Sequence, residues 1–441
     1  MKSNPIIQDF LSFLNQCPTS WHATAAAVKI LKNKGFRELK EDQSWNLTPG
    51  NRYFVTRNDS SLCAFILPKS TPERVRILAS HSDSPGFKIK PQPEIRKQNM
   101  ILLSTEIYGS PLLNSWLNRD LGLAGRVTFV NSQGNIESTL VRLEDAPLTI
   151  PQLAVHLDRE VNEKGLTLNK QEHLNVLAAL NESLPPSSSY IETLLRQKIE
   201  FKQLLSSDLF LFPLEEARLM GFNQQMIAAH GLDNIASLHA SLHSMVHNTS
   251  SHENDIKMIV CWDNEEIGSN TYQGVSSPFI SQILERILLA SNKGREDYFR
   301  LLNQSFCLSI DLSHAQHPNY MERHDPQHQI QMGKGVVLKH NAQFRYATDG
   351  NTSIPLKVLT KEFGIPLQNF VSRNDIPCGT TIGPMHSSLL GMPTVDIGCG
   401  QLSMHSCREL MSCQDHLDMC ILTQAILETP EIPKTKKVEN T

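Results

Sequence analysis

The sequence predicts an α/β protein: one α/β/α domain with a mixed sheet, built from both ends of the chain, and a β-rich domain inserted between those ends. Three observations favour this class. Short apolar runs typical of buried strands occur towards both ends, and apolar residues at helical spacing accompany them. The stretch of about 140 residues between carries short alternating segments with turn residues instead. Three consecutive domains remain the alternative.

The N-terminal part predicts two helices, a strand and then the start of the β-rich stretch. The second helix stops at Gly35, and the run 75–80 is typical of a buried strand. Strands are predicted at 101–104 and 126–130, and a loop at 184–189. The apolar residues that give the first helix its spacing are Ile6, Ile7, Phe10, Leu11 and Leu14.

The C-terminal part returns to alternating helices and strands. A strong helical pattern begins at Leu232, and strand-like runs follow at 257–262, 306–310 and 336–339. The chain from Thr429 onward is polar with two prolines. The predicted domains are therefore 1–88 with 229–430, an insert at 89–228, and a flexible tail at 431–441.

Composition excludes several classes of protein. The 441 residues include 41 Lys and Arg against 45 Asp and Glu, a formal net charge of −4, which argues against nucleic-acid binding through a basic field. No apolar run reaches the roughly eighteen residues that span a bilayer, and Gln8 and Asp9 interrupt the region where a signal peptide is apolar. The nine scattered cysteines form no CxxC pair. These features predict a cytoplasmic protein with reduced thiols.

Polar side chains follow several predicted strands at the point where each strand ends. In open α/β sheets such carboxyl ends form ligand sites, and mixed carboxylates and imidazoles bind zinc or a similar divalent ion. Seventeen histidines make a metal plausible. The residues at these ends are His81, Ser82 and Asp83; Asp263 to Glu266; Asp311, with His314 and His317 beyond it; and His405.

Each feature also has an ordinary interpretation. Asp233 opens the predicted helix at 232, and an Asp at a helix start is more often an N-cap than a metal ligand. The pair Glu265 and Glu266 is typical of a solvated face, and His405 of a simple helix residue. Only the coincidence of these groups at several strand ends predicts a metal site.

Such a set suits two metal ions that share one carboxylate and polarise an amide carbonyl. A further carboxylate that is not a ligand must then move the proton of the attacking water to the leaving amine. Neighbouring Glu265 and Glu266 suit this division into base and ligand. Asp83 is placed to accept the ring N–H of His81 and to fix its tautomer.

The chain resembles the aspartyl aminopeptidases, most closely their bacterial branch, from about Pro18 to about Leu427. The stretches that carry the resemblance occur in the family's order: FVTRNDSS at 54–61, SHSDSPGFKIKP at 80–91, LNRDLGLAGRV at 117–127, HGLDN at 230–234, DNEEIGS at 263–269, DLSHAQHPNY at 311–320, RNDIPCGTTIGP at 373–384 and MHSCRE at 404–409.

The resemblance implies a set of roles for this chain. Two zinc ions per subunit would share Asp233. One would add His81 and Asp311, and the other Glu266 and His405. Glu265 would be the general base, and Asp83 would orient His81.

The resemblance also implies substrates and assembly. Substrates would be peptides with an N-terminal acidic residue, with Lys339 near the acidic side chain. The inserted domain would drive dimerisation, dimers would form a dodecamer, and His156 would reach a neighbouring subunit's active site. The further pocket candidates are His317, Gly379, Thr380 and Thr381.

Some positions depart from the family's pattern without removing a proposed ligand. Trp21 occupies a position where the family usually has Phe, and Asn118 one where an Asp is expected. Ser110 follows Gly109 where a second glycine is common. Cys399-Gly400 replaces a small residue and a proline, close to His405, and bears on substrate preference. Three alternatives stay open: an aminopeptidase of broader specificity, a deacylase of N-acyl amino acids, and a non-catalytic oligomeric scaffold.

Overall fold

A computed structural model describes residues 4–249 and 254–435. Helices lie at both ends of the chain, and only two short ones fall within the predicted insert. The helices are α1 (Pro5–Asn15), α2 (Ser20–Asn33), α3 (Val161–Lys164), α4 (Tyr190–Arg196), α5 (Leu232–His247), α6 (Phe279–Ala290), α7 (Arg295–Gln304), α8 (Ile354–Glu362), α9 (Ile382–Leu390) and α10 (Cys413–Glu428).

The strands form two sheets. They are β1 (Arg37–Glu38), β2 (Arg52–Arg57), β3 (Ser61–Ile66), β4 (Arg74–His81), β5 (Gly86–Lys97), β6 (Met100–Tyr108), β7 (Leu121–Val130), β8 (Ile136–Leu148), β9 (Val176–Leu180), β10 (Gln203–Pro213), β11 (Arg218–Met220), β12 (Met226–Ala229), β13 (Asp255–Trp262), β14 (Phe306–Ile310), β15 (Ser313–His314), β16 (Val336–Lys339), β17 (Leu367–Phe370), β18 (Thr394–Leu402) and β19 (Glu409–Ser412).

The larger sheet is mixed and has the order β1-β2-β3-β13-β4-β14-β18-β19-β12-β11, with β15, β16 and β17 pairing beside β18. Its centre is parallel: β13 pairs with β4, β4 with β14, and β14 with β18. Trp262 lies opposite His81, and Ile310 opposite Ile397. The segments that leave β4, β13 and β14 therefore emerge at the same edge of the sheet.

Helices cover both faces of this sheet because successive side chains of a strand point to opposite sides. In β4, Leu78 packs into the core formed with α1, α2, α5 and α10, whereas its neighbours Ile77 and Ala79 pack into the core formed with α6 and α7. The predicted α/β/α arrangement is confirmed.

The smaller sheet is antiparallel and has the order β8-β7-β10-β5-β6-β9. It has its own core, which includes Phe87, Trp116 and Leu209. The predicted β-rich insert is thus present as a fold. The domain bounds stay a prediction: the strands of this sheet run from Gly86 to Pro213, and β11 and β12 belong to the larger sheet.

The described part of the predicted tail packs onto the body of the protein. Ile432 is buried in the core, and the guanidinium of Arg76 donates hydrogen bonds to the carbonyl oxygens of Thr429 and Pro430. The rest of the predicted tail, 436–441, lies outside the described residues. No helix in 4–249 or 254–435 is both long and apolar enough to cross a membrane.

Candidate active site

The buried carboxylate of Asp233 lies between two imidazoles that arrive from different loops. Its Oδ1 is 3.5 Å from Nε2 of His81, and its Oδ2 is 3.8 Å from Nε2 of His405. Gly231 is the N-cap residue of α5, and Asp233 has non-helical backbone angles. The carboxylate of Asp233 does not cap the helix, because Oδ1 has no hydrogen-bond partner among the described residues and Oδ2 accepts from Gln401 instead of a helix amide. The side chain faces the edge where β4, β13 and β14 end.

The first group of donors is His81, Asp233 and Asp311. Nε2 of His81 lies 3.7 Å from Oδ1 of Asp311. Nδ1 of His81 lies 3.1 Å from the backbone oxygen of Asp83, and a carbonyl oxygen only accepts. The ring therefore donates through Nδ1, and Nε2 faces the two carboxylates. The carboxylate of Asp83, predicted as this partner, lies slightly farther from Nδ1, at 3.4 Å.

Backbone packing fixes Asp311. Its amide nitrogen donates to the carbonyl oxygen of Ile397 at 2.9 Å, which continues the β14–β18 ladder. A Cβ at Gly398 would lie 2.0 Å from the carbonyl oxygen of Asp311, so only glycine permits this approach. The tight packing holds the Asp311 carboxylate at the sheet edge.

The second group of donors is Asp233, Glu266 and His405. Nε2 of His405 lies 3.4 Å from Oε1 of Glu266. Nδ1 of His405 donates to the carbonyl oxygen of Ser110 at 3.1 Å, which again leaves Nε2 facing the carboxylates. One donor atom from each of His81, Asp233 and Glu266 lies within 4.8 Å of the others.

These separations fit a bound cation. Most of the gaps between donors exceed the usual length of a hydrogen bond, about 2.7 to 3.2 Å. They are close to the distance of about 3.3 Å between two ligands of one tetrahedral zinc ion. Oδ1 of Asp233 is buried and accepts no hydrogen bond among the described residues. Buried polar atoms normally have a partner, so this orphaned oxygen is consistent with a metal ligand.

The electrostatics favour a cation too. Burial raises the pKa of Glu265 to about 8. The nearby imidazole of His81 lowers this pKa, whereas the carboxylates of Asp311 and Asp83 raise it further. Burial and the charge of Asp233 raise the pKa of Glu266. Burial favours a neutral His81, but Asp233, Asp311 and Asp83 outweigh it and raise its pKa. Excess negative charge at this edge therefore attracts protons, and a bound metal ion would displace them.

Asp83 also fixes the backbone of the two glutamates. Its Oδ1 accepts a hydrogen bond from the amide nitrogen of Glu265 at 3.2 Å, and its Oδ2 accepts one from Glu266 at 3.1 Å. The hydroxyl of Tyr108 donates to the same Oδ2 at 2.7 Å and accepts from Nδ2 of Asn264 at 2.9 Å. Asp83 therefore positions His81, Glu265 and Glu266 together.

Glu409 supports the opposite side. Its Oε2 accepts a hydrogen bond from the amide nitrogen of Asp233 at 3.1 Å, and its Oε1 accepts one from His405 at 2.7 Å. Gln401 donates from Nε2 to Oδ2 of Asp233 at 3.5 Å. Tyr108, Glu409 and Gln401 were not predicted from the sequence. Glu409 could have been suspected because it lies only four residues after His405. No sequence pattern pointed to Tyr108, because its partner Asp83 is 25 residues away and follows a strand of the other sheet.

Lys339 is buried beside Asp311. Its Nζ donates to the carbonyl oxygen of Leu312 at 2.7 Å and lies 3.8 Å from Oδ2 of Asp311. Burial disfavours the ionised form of Asp311, but Lys339 and His81 outweigh it and hold the pKa of that carboxyl below its usual value. Lys339 thus keeps Asp311 ionised, as a metal ligand must be.

A cavity of about 390 Å³ opens beside these groups. The predicted residues that line it are His81, Asp233, Glu265, Glu266, Asp311, Lys339, Gly379, Thr380, Thr381 and His405, and Leu312, Ser313, His314, Tyr346, Met404 and Gly268 complete the wall.

Three predicted residues do not line this cavity: Asp83, which lies behind His81 and the two glutamates, His317 and His156. The backbone nitrogen of His317 donates a hydrogen bond to Nε2 of His324 at 3.1 Å, and the ring of His317 lies against Tyr320. His156 is exposed in a turn within the insert. The roles assigned to His317 and His156 stay predictions.

Comparisons with known proteins agree with this architecture. The family described as Aminopeptidase I zinc metalloprotease (M18) matches residues 13–426. A probable M18 family aminopeptidase 2 from Clostridium novyi is 38% identical over 416 residues, which cover 92% of this chain and 95% of that protein.

Solved structures are similar over nearly the whole chain. Ape4 in the cryo-EM structure of the Ape4 and Nbr1 complex has a TM-score of 0.91 and 32% identity, covering 96% of this chain and 85% of that one. The dodecamer of yeast mApe1 has a TM-score of 0.84 and 26% identity, covering 97% and 98%. The chain therefore belongs to the M18 family of zinc metallo-aminopeptidases.

Proposed function

We propose that this protein is a two-zinc aminopeptidase that removes an N-terminal Asp or Glu from peptides. One observation carries the proposal: the two oxygens of the buried Asp233 carboxylate face His81 and His405 separately, at 3.5 and 3.8 Å. A carboxylate placed between two groups of ligands is what a shared ligand of two ions requires.

Each ion would have its own further ligands in addition to Asp233. His81 and Asp311 would hold one ion, and Glu266 and His405 the other. Both imidazoles direct Nε2 at the carboxylates because their Nδ1 atoms donate to backbone carbonyl oxygens. When bound, zinc ions polarise a peptide carbonyl and lower the pKa of water.

Glu265 would move the proton. It lies next to the ligand Glu266, lines the cavity, and has its amide nitrogen held by Asp83. As a carboxylate it takes a proton from the attacking water and, as a carboxylic acid, gives it to the departing amine. Burial raises its pKa, whereas bound zinc ions would lower it, so we expect the carboxylate form that can take a proton from water.

Acidic substrates fit the charge of the cavity wall. Among the described residues that line the cavity, Lys339 is the only lysine or arginine. It would attract the side-chain carboxylate of an N-terminal Asp or Glu, although it also contacts Asp311. Gly379, Thr380 and Thr381 line the same cavity and would contact the substrate. The acidic ligands on the opposite side would attract the protonated α-amine.

Self-association would complete the site. His156 lies in an exposed turn with exposed apolar neighbours: the side chains of Leu153 and Leu157 are 58% and 75% accessible. Such neighbours favour burial against another subunit. We infer that the inserted domain forms dimers, that dimers form a dodecamer, and that His156 donates a hydrogen bond to the substrate in a neighbouring subunit.

The cysteines favour a reducing compartment. All nine are free, and most of them are buried. A protein that keeps so many unpaired thiols is typical of the cytosol, so we place this enzyme in the cytoplasm.

The test combines metal analysis with a substrate panel. The purified protein should contain zinc at the active site and hydrolyse aminoacyl chromogenic substrates with Asp or Glu faster than those with neutral residues. N-acetylated versions of the same substrates are the control. Cleavage of the acetylated compounds would identify a deacylase, equal rates on neutral residues a broader aminopeptidase, and no hydrolysis with zinc bound a scaffold.

A further inference from the structure

A second cluster of metal-binding side chains lies inside the helical layer, away from the active site. It consists of His239 on α5 and His416 and Cys420 on α10, all buried. One donor atom from each lies within 4.8 Å of the others. Asp9 on α1 contacts the cluster from the surface.

The first imidazole is already oriented as a ligand. Nε2 of His239 lies 3.1 Å from Oδ2 of Asp9, and its Nδ1 lies 2.9 Å from Nε2 of His416. Burial lowers the pKa of His239 below its usual value, although Asp9 acts in the opposite direction, so the ring is neutral when it contacts Asp9. The neutral ring donates from Nε2 to the carboxylate, so the Nδ1 lone pair points into the cluster. A carboxylate behind a ligating histidine is a common arrangement at zinc sites.

The spacing of the donors approaches that of a tetrahedral zinc site. Usual Zn–N and Zn–S bond lengths place two nitrogen ligands about 3.3 Å apart and a nitrogen and a sulfur about 3.6 Å apart. The corresponding distances here are 2.9 Å for His239 to His416 and 3.8 Å for His416 to Cys420. Shifts of a few tenths of an ångström would bring all three donors onto one ion.

A hydrogen-bonded cluster without metal explains the 2.9 Å contact between the two imidazoles but leaves the Cys420 thiol with only a long contact of 3.8 Å. Nε2 of His416 has both Nδ1 of His239 and Sγ of Cys420 beside it, and a single N–H serves only one of them well. Burial lowers the pKa of His416 far below its usual value, so its imidazole is neutral. An ion would be bound by all three donors at once.

The structure also offers a way in. A surface groove of about 520 Å³ reaches His239, the outermost of the three donors, and its lining includes Asp9, Lys34, His243 and His247 but neither His416 nor Cys420. The three histidines lie on one face of α5, with ring centroids 6.3 Å and 4.4 Å apart in sequence order. The outermost, His247, is exposed, so an ion from solvent meets successive imidazoles on its way to the buried donors.

We propose that His239, His416 and Cys420 bind a zinc ion that is separate from the catalytic centre. Nδ1 of His239, Nε2 of His416 and the Cys420 thiolate are its protein ligands, and a water molecule takes the fourth position. Binding releases the thiol proton to solvent, as for any thiolate ligand. The ion ties α5 to α10 six residues beyond Asp233, and its role is structural.

Cobalt(II) substitution of the full-length protein tests this site separately from the catalytic one. A thiolate ligand gives cobalt(II) an intense near-ultraviolet charge-transfer absorption, whereas the proposed catalytic ligands are only His, Asp and Glu. The wild type should show this absorption at the intensity of about one thiolate-bound cobalt ion per chain. Cys420→Ser should lose the absorption, and its zinc-loaded form should contain one fewer zinc ion per chain. Cys413→Ser, in the first turn of the same helix, is the matched control and should behave as the wild type.

Two results would overturn the proposal: no thiolate absorption in the cobalt-loaded wild type, or an absorption that survives in Cys420→Ser. Serine is close to cysteine in size, so a folded variant is expected. His239→Gln provides a second variant, which should weaken the cobalt–thiolate absorption without removing Cys420. An unchanged spectrum and zinc content in His239→Gln would also count against the site. Hydrolytic activity is not needed for any of these measurements.

Discussion

The hydroxyl of Tyr108 donates a hydrogen bond to Oδ2 of Asp83 at 2.7 Å. Tyr108 ends β6 in the antiparallel sheet, whereas Asp83 follows β4 in the large sheet. Because Asp83 also accepts hydrogen bonds from the amide nitrogens of Glu265 and Glu266, this contact joins the inserted sheet to the proposed base and to a proposed ligand.

Tyr108→Phe should lower kcat about tenfold and leave KM for the same peptide nearly unchanged. A hydrogen bond to a charged group contributes about 1.5 kcal/mol or more, and about 1.4 kcal/mol corresponds to a factor of ten. Steady-state kinetics and metal analysis check this, with Tyr190→Phe on α4 as the control for loss of a buried hydroxyl. Equal losses in the two variants, or an unchanged kcat in Tyr108→Phe, would show that the contact does not position the site.

Glu265→Gln should retain zinc and lose at least about a hundredfold in turnover, because it removes a general base without removing a ligand. Glu266→Gln is the comparison, since it changes a proposed ligand at the next position and should reduce the metal content. Loss of zinc from Glu265→Gln, or a rate near that of the wild type, would show that the roles of the two glutamates are assigned wrongly.

Lys339→Ala should raise KM for peptides with N-terminal Asp or Glu and change KM for neutral peptides little. An ionic hydrogen bond of about 1.5 kcal/mol corresponds to roughly a tenfold effect. The contact of Nζ with Asp311, at 3.8 Å, gives a competing expectation. If Lys339 serves only to keep Asp311 ionised, zinc content and all substrates will be affected alike, and the specificity role is excluded.

His156→Ala should keep its zinc and its assembly but lose about 10²–10³ in kcat, as expected for a donor to the developing oxyanion. Mixed oligomers of His156→Ala and Glu265→Gln subunits should recover activity, because some sites then combine an intact histidine with an intact base. A verified mixed oligomer without recovered activity would mean that His156 does not act across a subunit boundary.

The sequence predicted those parts of the site that depend on strand ends. Apolar runs located β4, β13 and β14 to within a few residues, and their parallel pairing brings His81, Glu266 and Asp311 to one edge. Their assignment to individual ions came from the family resemblance and stays a prediction. Strand periodicity carries no information about which loop folds back, so it did not predict the contacts of Ser110 with His405 or of Leu312 with Lys339.

His317 illustrates the same limit. It lies six residues after Asp311, and the family resemblance made it a pocket candidate. The chain instead forms the short strand β15 and then a turn in which the ring of His317 lies against Tyr320, while His314 lines the cavity. Contacts between the two sheets, such as Tyr108 with Asp83, are similarly beyond sequence periodicity because they depend on how the insert packs.

The proposed mechanism depends on two ions that share the Asp233 carboxylate. The decisive measurement is an anomalous difference map at the zinc absorption edge, from a crystal of the zinc-loaded protein. We predict two peaks on either side of Asp233, one next to His81 and Asp311 and the other next to Glu266 and His405. A single peak at this centre, or two peaks of which only one contacts Asp233, would contradict this arrangement.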